Sequence, residues 1–336
     1  MNAYRFSMTK NPECHVIHAD SRIELLNWKN QIDLIITSPP YADSRKRHYD
    51  SIHPDQFKDW FLTFHVPFYE ALKSNGSLVI NIKDKVVDGV RHRYVWQTIE
   101  ALCGQGWYAI DDYIWRKTNP MPGFWPTRLR DGWEYCFHLA KSKTPFMNQD
   151  AVRIPVGDWV SSRLSKLGQN DLTRHNSSNK SGFGRDLSKW VGKQTVLPSN
   201  VISAALVGKN KGHPAVFPAD LPAFFIKLLC PKDGIVADPF CGSGTTGIAA
   251  IALARKCVLI DNQLSYCRVV ASRLEKEAAA LPEQILLHEK SMPFSKYEYA
   301  IPKNTNAQLR FFEKGEIYNF FGKNHKKKSQ RRIGVN

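Results

Sequence analysis

The sequence predicts an α/β fold built on a doubly wound sheet. Apolar runs that are typical of buried strands alternate along the chain with longer segments of helical character. Two of these runs, 34–36 and 235–237, lead directly into loops at 37–41 and 238–246. Open α/β sheets hold their ligands at the carboxyl ends of their strands. Both loops are therefore candidate parts of a binding site.

Each element follows from a local pattern. Short runs of β-branched and aromatic residues predict strands, and longer apolar segments bounded by polar residues, glycine or proline predict helices. The expected strands lie near 15–19, 33–37, 77–82, 107–115, 133–140, 234–238 and 256–261. The expected helices lie near 21–28, 55–74, 91–104, 218–229, 245–255 and 265–280.

The loop at 238–246 has the composition of a nucleoside-binding turn. Gly242 and Gly244 can adopt positive φ and let backbone N–H groups approach a ligand, and Thr245 begins an apolar helix whose N-terminus favours electronegative groups. Asp261 ends the next apolar run, 19 positions after Gly242, where a carboxylate can accept hydrogen bonds from ribose hydroxyls. The loop lacks the third glycine of the dinucleotide fingerprint and the Gly-Lys-Ser/Thr ending of a P-loop, which excludes both classes.

The loop at 37–41 contains Ser38, Pro39, Pro40 and Tyr41. The two prolines fix φ and remove two backbone donors, so the loop presents carbonyl acceptors that suit an NH2 group. Ser38 adds a hydroxyl that can accept, and Tyr41 adds an aromatic face on which a planar base can stack. When acceptors on the protein bind the protons of an exocyclic amine, they oppose the delocalisation of its lone pair into the ring. The sequence therefore predicts attack by such an amine on a methyl group, without a covalent intermediate.

Through these two loops the chain resembles the amino-directed DNA methyltransferases that use S-adenosylmethionine, and the resemblance covers most of residues 15–275. The order of the motifs, with the Pro-Pro loop first, is similar to the β group of that family. The Ser-Pro-Pro-Tyr form resembles its cytosine-N4 members, whereas adenine-N6 members more often have Asp or Asn in place of Ser38. The resemblance implies a mostly parallel sheet with one antiparallel strand, and it assigns catalysis to Ser38, Pro39, Pro40 and Tyr41.

The resemblance also implies a cofactor site. The residues that it places at S-adenosylmethionine are Asp20, Asp238, Phe240, Gly242, Gly244, Thr245 and Asp261. Asp20 occupies the position that reaches the adenine, and the next residues, Ser21 to Glu24, fit a capping box at a helix start. The segment that begins at His213 resembles the part beside the methionine end of the cofactor. Residues 115–117 and 128–134 resemble the wall of a target-base pocket.

The net charge of +16 is concentrated in two segments. Residues 141–212 carry 12 basic and 4 acidic side chains, and residues 291–336 carry 10 and 3, whereas 1–140 and 213–290 are nearly neutral. Such confined charge is the footprint expected for a phosphate backbone. We therefore expect a catalytic half (1–140), a loop-rich target-recognition insert (141–212), a cofactor half (213–290) and a basic C-terminal extension (291–336). A smaller basic patch at 45–49 is expected to contact phosphates beside a flipped nucleotide.

Other classes of site are disfavoured. The seven cysteines form no Cys-x-x-Cys pair and the histidines form no cluster with ligand spacing, so we expect no metal and no disulfide. Cys230-Pro231 reverses the Pro-Cys order that cytosine-C5 methylation needs, and Cys241 is expected to be a small buried residue. The sequence contains no apolar run near the ~20 residues of a membrane span and no secretory leader, which predicts a cytoplasmic protein without membrane contact.

We therefore expect a site-specific DNA methyltransferase that flips a cytosine out of duplex DNA and methylates its N4 amine. The expected setting is a restriction-modification system, with a cognate endonuclease that forms no stable complex with the chain. Adenine-N6 transfer on the same scaffold is the first alternative. A DNA-binding module without catalysis is the second, and RNA or protein amines are further possible targets, although a Pro-Pro-Tyr loop for those usually follows Asn.

Overall fold

The computed structural model describes residues 5–8, 12–42, 52–156, 192–206 and 217–280. The chain divides into two compact units. The first comprises Met1–Ile154 and Leu197–Leu309, and the second comprises Pro155–Val196 and Arg310–Asn336. The basic patch at 45–49, His213, most of the segment 141–212 and the extension 291–336 lie outside the described residues.

The strands form one large mixed sheet and two short ladders. In chain order the strands of the described residues are β1 (Arg5–Met8), β2 (Cys14–His18), β3 (Ile32–Thr37), β4 (Leu72–Ile82), β5 (Lys85–Val87), β6 (Val90–His92), β7 (Tyr108–Lys117), β8 (Trp133–Ala140), β9 (Ile154–Pro155), β10 (Thr195–Val196), β11 (Val201–Ala204), β12 (Ile235–Asp238) and β13 (Lys256–Asp261). The large sheet has the order β1-β2-β13-β12-β3-β4-β8-β7-β11. β5 pairs with β6, and β9 pairs with β10.

Helices connect most of the parallel strands. In the described part they are α1 (Ser21–Glu24), α2 (Pro54–Leu62), α3 (His65–Ala71), α4 (Tyr94–Gly104), α5 (Asp220–Leu229), α6 (Thr245–Ala252) and α7 (Leu264–Ala280), with 3-10 turns at Leu25–Trp28 and Gln149–Val152. None of these helices is long and apolar enough to cross a bilayer.

The single helix predicted at 55–74 is wrong, because the segment forms two helices and the start of β4. Pro67 lacks an N–H and is tolerated only in the first turn of a helix, so α3 begins anew at His65. The predicted start of the next helix at 91 is also wrong. Residues 85–92 form a hairpin whose turn, Asp88-Gly89, has φ angles of 47° and 79°.

The sheet is buried on both faces, as the doubly wound prediction requires. From Leu34 onward the side chains of β3 alternate between two apolar clusters, with Leu34 and Ile36 in one and Ile35 in the other. Helices α5, α6 and α7 cover the first face, and α2, α3 and α4 cover the second. This arrangement leaves the carboxyl edge of the parallel strands as the place where polar loops collect.

The expectation of one antiparallel strand is wrong. β8 runs antiparallel to both of its neighbours, β4 and β7, but β1 is also antiparallel to β2 at one edge of the sheet. β1 was not predicted, because four residues with alternating half-exposed side chains lack the apolar run that marks a buried strand. The other pairings of the sheet are parallel.

The last part of the segment 141–212 belongs to the large sheet. β11 pairs in parallel with β7, with Val201 opposite Ile114 and Ala204 opposite Lys117. In the second compact unit, the Val156 N–H donates to the Gln194 carbonyl at 3.0 Å. What the rest of this segment recognises stays a prediction.

The expectation of no disulfide is wrong. Cys14 on β2 and Cys257 on β13 lie directly opposite each other in the parallel ladder and are joined by a disulfide, with a Cα–Cα distance of 4.7 Å. They are 243 positions apart in sequence. Local cysteine spacing therefore contained no sign of the pair, and only the strand order brings the two residues together.

A buried carboxyl at the start of α5 is expected to make folding depend on pH. Asp220 is 6% exposed, its Oδ1 has no hydrogen-bond partner among the described residues, and burial raises its pKa to about 6. The folded state therefore binds this proton more tightly than the unfolded state does. The stability that Asp220 contributes is present below pH 4 and is lost as the pH rises through 6.

Asp220→Asn removes this titration. The variant is expected to gain on the order of 2–3 kcal/mol in free energy of unfolding relative to the wild type between pH 4 and pH 7.5. Urea unfolding of both proteins across that range measures the difference, and Asp59→Asn at an exposed site is the control. A difference that stays constant with pH would contradict the prediction.

Candidate active site

The two predicted loops lie at neighbouring positions of the sheet. β3 ends at Thr37 and β12 ends at Asp238, and these strands pair in parallel, with Leu34 opposite Val236. The Thr37 hydroxyl donates to Asp238 Oδ1 at 2.7 Å. Residues 201 positions apart are thereby joined at the carboxyl edge of the sheet. The sequence correctly predicted both loops, but not this bond between them.

Asp238 organises the loops from inside the protein. It is 1% exposed, and besides Thr37 it accepts from the Thr246 hydroxyl at 2.5 Å and from the Phe240 N–H at 3.2 Å. Burial raises its pKa to about 6, against the opposing effect of these three donors. Because both of its oxygens accept hydrogen bonds from within the protein, Asp238 fixes the shape of the glycine loop at 238–246.

The glycine loop has the predicted backbone geometry. Gly242 has φ of 49° and Gly244 has φ of 78°, and Gly244 caps the N-terminus of α6. Asp261 accepts from the Gly242 N–H and from the Gln263 N–H, each at 2.9 Å, while burial raises its pKa. The carboxylate of Asp261 therefore holds the loop against the end of β13.

The remaining predicted cofactor residues have varied surroundings. The half-buried ring of Phe240 packs against Trp60 and Phe64, with centroid distances of 5.9 and 5.0 Å. Thr245 is buried at the start of α6, with its hydroxyl 3.3 Å from Ser243 Oγ. Burial raises the pKa of the Cys241 thiol well above its usual value, as expected for a buried residue that is not a nucleophile.

Asp20 follows β2, which is separated by β13 and β12 from β3 and the Pro-Pro loop after it. Its side chain is half-exposed and accepts from the Arg22 N–H at 2.9 Å, so Asp20 is the N-cap of α1. Hydrogen bonds from the Arg22 side chain hold the pKa of Asp20 below its usual value. The capping box predicted for Ser21 and Glu24 is wrong, because the helix starts one residue earlier than that motif requires and Glu24 bonds Arg5 instead.

The Ser-Pro-Pro-Tyr loop has one face in the core and one at the surface. Pro39 is buried, whereas Ser38, Pro40 and Tyr41 are partly exposed. The Ser38 hydroxyl donates to the Tyr41 hydroxyl at 3.2 Å, and Tyr41 donates to Glu134 Oε2 at 2.7 Å. The hydroxyl of Tyr41 is therefore anchored inward, while part of its ring remains accessible.

The sequence placed Lys117 and Glu134 in segments that resemble the wall of a target-base pocket, but it assigned no chemistry to either residue. Lys117 Nζ at the end of β7 donates to Glu134 Oε1 on β8 at 2.7 Å, and both side chains are less than 9% exposed. A single carboxylate inside the apolar stretch 133–140 was the available signal, since an acid in a buried strand is almost always paired. Its partner could not be identified without the pairing of β7 with β8.

A cavity of about 370 Å³ is lined in part by the two residues that flank Glu134 in the chain. Asp84, Arg91, Asp131, Trp133 and Tyr135 contribute to its lining. Asp84 is 4% exposed, neither of its oxygens has a hydrogen-bond partner among the described residues, and Arg91 Nη1 lies 3.9 Å away. Burial raises the pKa of Asp84. The cavity combines aromatic faces with cationic and acceptor groups, which suits a nucleotide.

Gly244→Ala is expected to destabilise the glycine loop at 238–246. A Cβ at this position would lie 2.6 Å from Val270 Cγ1, and the positive φ of 78° costs an L-residue about 1–2 kcal/mol before any clash is counted. Thermal unfolding should show a lower Tm, and the loss caused by Gly244→Ala should be smaller in a Val270→Ala background, because that background removes the contact with Cγ1. Gly104→Ala, which meets no neighbouring atom, is the control. Equal Tm changes for Ala at 104 and 244 would refute the argument.

Comparison with known proteins places this geometry in a family. A family model described as DNA methylase, N6_N4_Mtase, matches residues 32–272. The chain is 29% identical over 265 residues to the type II methyltransferase M.PvuII of Proteus hauseri, covering 72% of this chain and 77% of the relative. It is 25% identical over 298 residues to M.SmaI of Serratia marcescens, covering 78% and 90%.

A solved structure shares the fold. The PvuII DNA methyltransferase (cytosine-N4-specific) superposes with a TM-score of 0.58 and 22% identity, covering 81% of this chain and 93% of that one. The family model spans both predicted loops and the sheet between them. The chain therefore belongs to the N6/N4 DNA methylase family and is a site-specific DNA methyltransferase that uses S-adenosylmethionine.

Proposed function

We propose that this chain methylates the N4 amine of a cytosine within a specific sequence of duplex DNA. The observation that carries the proposal is Ser38 at the start of the Pro-Pro-Tyr loop, with its hydroxyl proton donated inward to Tyr41. Its lone pairs are then directed to a substrate amine. The similarity to the PvuII enzyme, whose solved structure is named cytosine-N4-specific, supports the same choice of base.

The cofactor site fits S-adenosylmethionine. Gly242 and Gly244 keep the loop open through their positive φ angles, and Asp261 at the end of β13 retains lone pairs for ribose hydroxyls. Phe240 offers a half-buried ring, and Thr245 begins the helix that follows the loop. Asp20 would contact the adenine from the end of β2. When bound, the cofactor supplies an electrophilic methyl group on sulfur.

The Pro-Pro loop prepares the amine for attack. Ser38 Oγ and the Pro39 carbonyl accept the two N–H groups of the base, which favours a pyramidal nitrogen with a localised lone pair. Pro40 stiffens the loop and Tyr41 stacks on the base with the accessible part of its ring. Transfer would form a nitrogen–carbon bond while the carbon–sulfur bond breaks, so that S-adenosylhomocysteine leaves, and the proton that the nitrogen gives up would pass to water. Chemistry of this kind needs positioning of the amine, without a nucleophile from the protein.

Methylation at N4 requires the cytosine to leave the base stack, because a paired amine cannot reach a methyl donor in line. The cavity lined by Arg91 and Trp133 would provide cationic and aromatic groups for the displaced nucleotide. The basic segments 141–212 and 291–336 would bind phosphates and read the sequence. A restriction-modification setting, with a cognate endonuclease acting at the same sequence, completes the proposal.

Mass spectrometry of nucleosides from DNA methylated by this chain tests the base. Plasmid DNA from a host without other methyltransferases, with and without the expressed chain, is digested and compared. N4-methylcytosine is the expected product. N6-methyladenine would establish the alternative on the same scaffold, and no modified base would favour a DNA-binding module without catalysis. Parallel assays on duplex DNA and RNA with labelled cofactor test the choice of nucleic acid.

A further inference from the structure

A chain of hydrogen bonds runs across four neighbouring strands of the sheet, from the Pro-Pro loop to the end of β7. Ser38 donates to Tyr41 at 3.2 Å, Tyr41 donates to Glu134 at 2.7 Å, and Lys117 donates to the other oxygen of Glu134 at 2.7 Å. Asn81 on β4 lies beside it, with Oδ1 3.2 Å from the Tyr41 hydroxyl. The direction of each bond in this chain determines what Ser38 can offer to a substrate.

The ion pair at the far end fixes the direction. A lysine ammonium can only donate and an ionised carboxylate can only accept. The Lys117 and Glu134 side chains are 7% and 8% exposed, so water competes little for either group. Glu134 thus accepts at both oxygens, from Lys117 at one and from Tyr41 at the other.

Tyr41 transmits this direction to Ser38. Burial and the charge of Glu134 raise the pKa of the Tyr41 phenol well above its usual range, so the hydroxyl keeps its one proton. That proton goes to Glu134, the nearer acceptor. Asn81 cannot supply a proton in return, because its Nδ2 donates to the Tyr135 carbonyl at 3.0 Å and only Oδ1 faces Tyr41. The Tyr41 oxygen therefore accepts from Ser38.

We propose that Glu134 and Lys117 are positioning residues that hold Ser38 as a hydrogen-bond acceptor and thereby select a base with an amine, rather than a carbonyl, at the transfer position. The inference rests on the proposed contact between Ser38 and the target base. Cytosine and uracil differ in this respect at C4, as adenine and hypoxanthine do at C6. A carbonyl opposite the lone pairs of Ser38 is repelled. Turning the Ser38 proton toward it would leave Tyr41 without its donor.

The test measures discrimination between amine and carbonyl. Duplexes with the recognition sequence carry cytosine or uracil at the target position, each opposite an abasic site so that base pairing does not contribute. Their dissociation constants are measured with S-adenosylhomocysteine present, for the wild type and for Glu134→Gln/Lys117→Met, which removes both charges together and avoids an unpaired buried ion. The wild type should bind the cytosine duplex more tightly than the uracil duplex. In the double variant the ratio of the two dissociation constants should fall about tenfold, the effect of one hydrogen bond.

A second ion pair of the same sheet provides the matched control. Lys73 Nζ lies 2.8 Å from Asp33 Oδ1 at the amino ends of β4 and β3, on the opposite edge of the sheet. Asp33→Asn/Lys73→Met should leave the preference unchanged. Tyr41→Phe removes a single oxygen and should reproduce the loss, which covers the case in which the double variant does not fold.

The outcomes separate this inference from the proposed function. If the double variant and Tyr41→Phe weaken both duplexes equally and keep the wild-type preference, the inference is overturned. If the wild type methylates adenine, duplexes with adenine or hypoxanthine at the target position replace the cytosine and uracil duplexes. They test the same preference for an amine over a carbonyl. If Ser38→Ala keeps the full wild-type preference, then Ser38 does not face the base and the proposed function of the loop fails first.

Discussion

Ser38→Ala is expected to lower the rate of methyl transfer by about 10²–10³-fold, the size of effect found when one preorganised hydrogen-bonding group is removed from a reacting centre. The affinity for S-adenosylmethionine should stay unchanged. Ser38 lies on the loop after β3, whereas the glycine loop and Asp261 follow β12 and β13. Single-turnover transfer from labelled cofactor and calorimetric titration of the same cofactor measure the two quantities separately.

The structure gives a reason why the two effects should separate. Ser38 is partly exposed, and alanine at this position removes one donor to the Tyr41 hydroxyl, which keeps its own hydrogen bond to Glu134. The Thr37–Asp238 bond between the loops is preserved, because Thr37 is untouched. Ser7→Ala, at an exposed serine, is a suitable control for folding. Equal losses of methyl transfer and cofactor binding would remove the catalytic role assigned to Ser38.

Asp261→Ala, unlike Ser38→Ala, should lower the affinity for the cofactor. We expect a loss of about 10²-fold, because charge-assisted hydrogen bonds contribute about 1.5–3 kcal/mol each. The carboxylate accepts from the Gly242 and Gln263 N–H groups, so its removal frees the glycine loop from the end of β13. Asp261→Asn should lose less, since the amide retains one acceptor oxygen. Calorimetric titration with S-adenosylmethionine gives the three affinities.

A cofactor analogue that lacks the ribose hydroxyls separates loop shape from direct contact. If Asp261 accepts from the ribose, the wild type should favour the natural cofactor over the analogue and Asp261→Ala should not. Asp233→Ala, at an exposed position before β12, serves as the control. Unchanged discrimination in Asp261→Ala would limit this residue to holding the loop, and unchanged affinity would exclude it from the cofactor site.

Local patterns predicted most of the buried strands, because a run such as 34–36 has to be covered on both sides wherever it lies. They failed where an element depends on its partners. β1 has half-exposed side chains and exists through its pairing with β2. β11 completes the other edge of the sheet from a segment whose composition indicated an irregular insert. The helix predicted at 55–74 failed for a local reason, since Pro67 restarts the helix.

The sequence by itself determined the α/β class, the two loops and their order, because glycine, proline and the adjoining apolar runs have conformational preferences that act within a few residues. The family and its chemistry followed from those loops. Only the tertiary structure decided which distant groups meet. Asp238 binds Thr37 across 201 positions, Cys14 pairs with Cys257, and Lys117 and Glu134 reach Ser38 through Tyr41. Such contacts depend on strand order and register, and burial then makes each of them strong because water no longer competes.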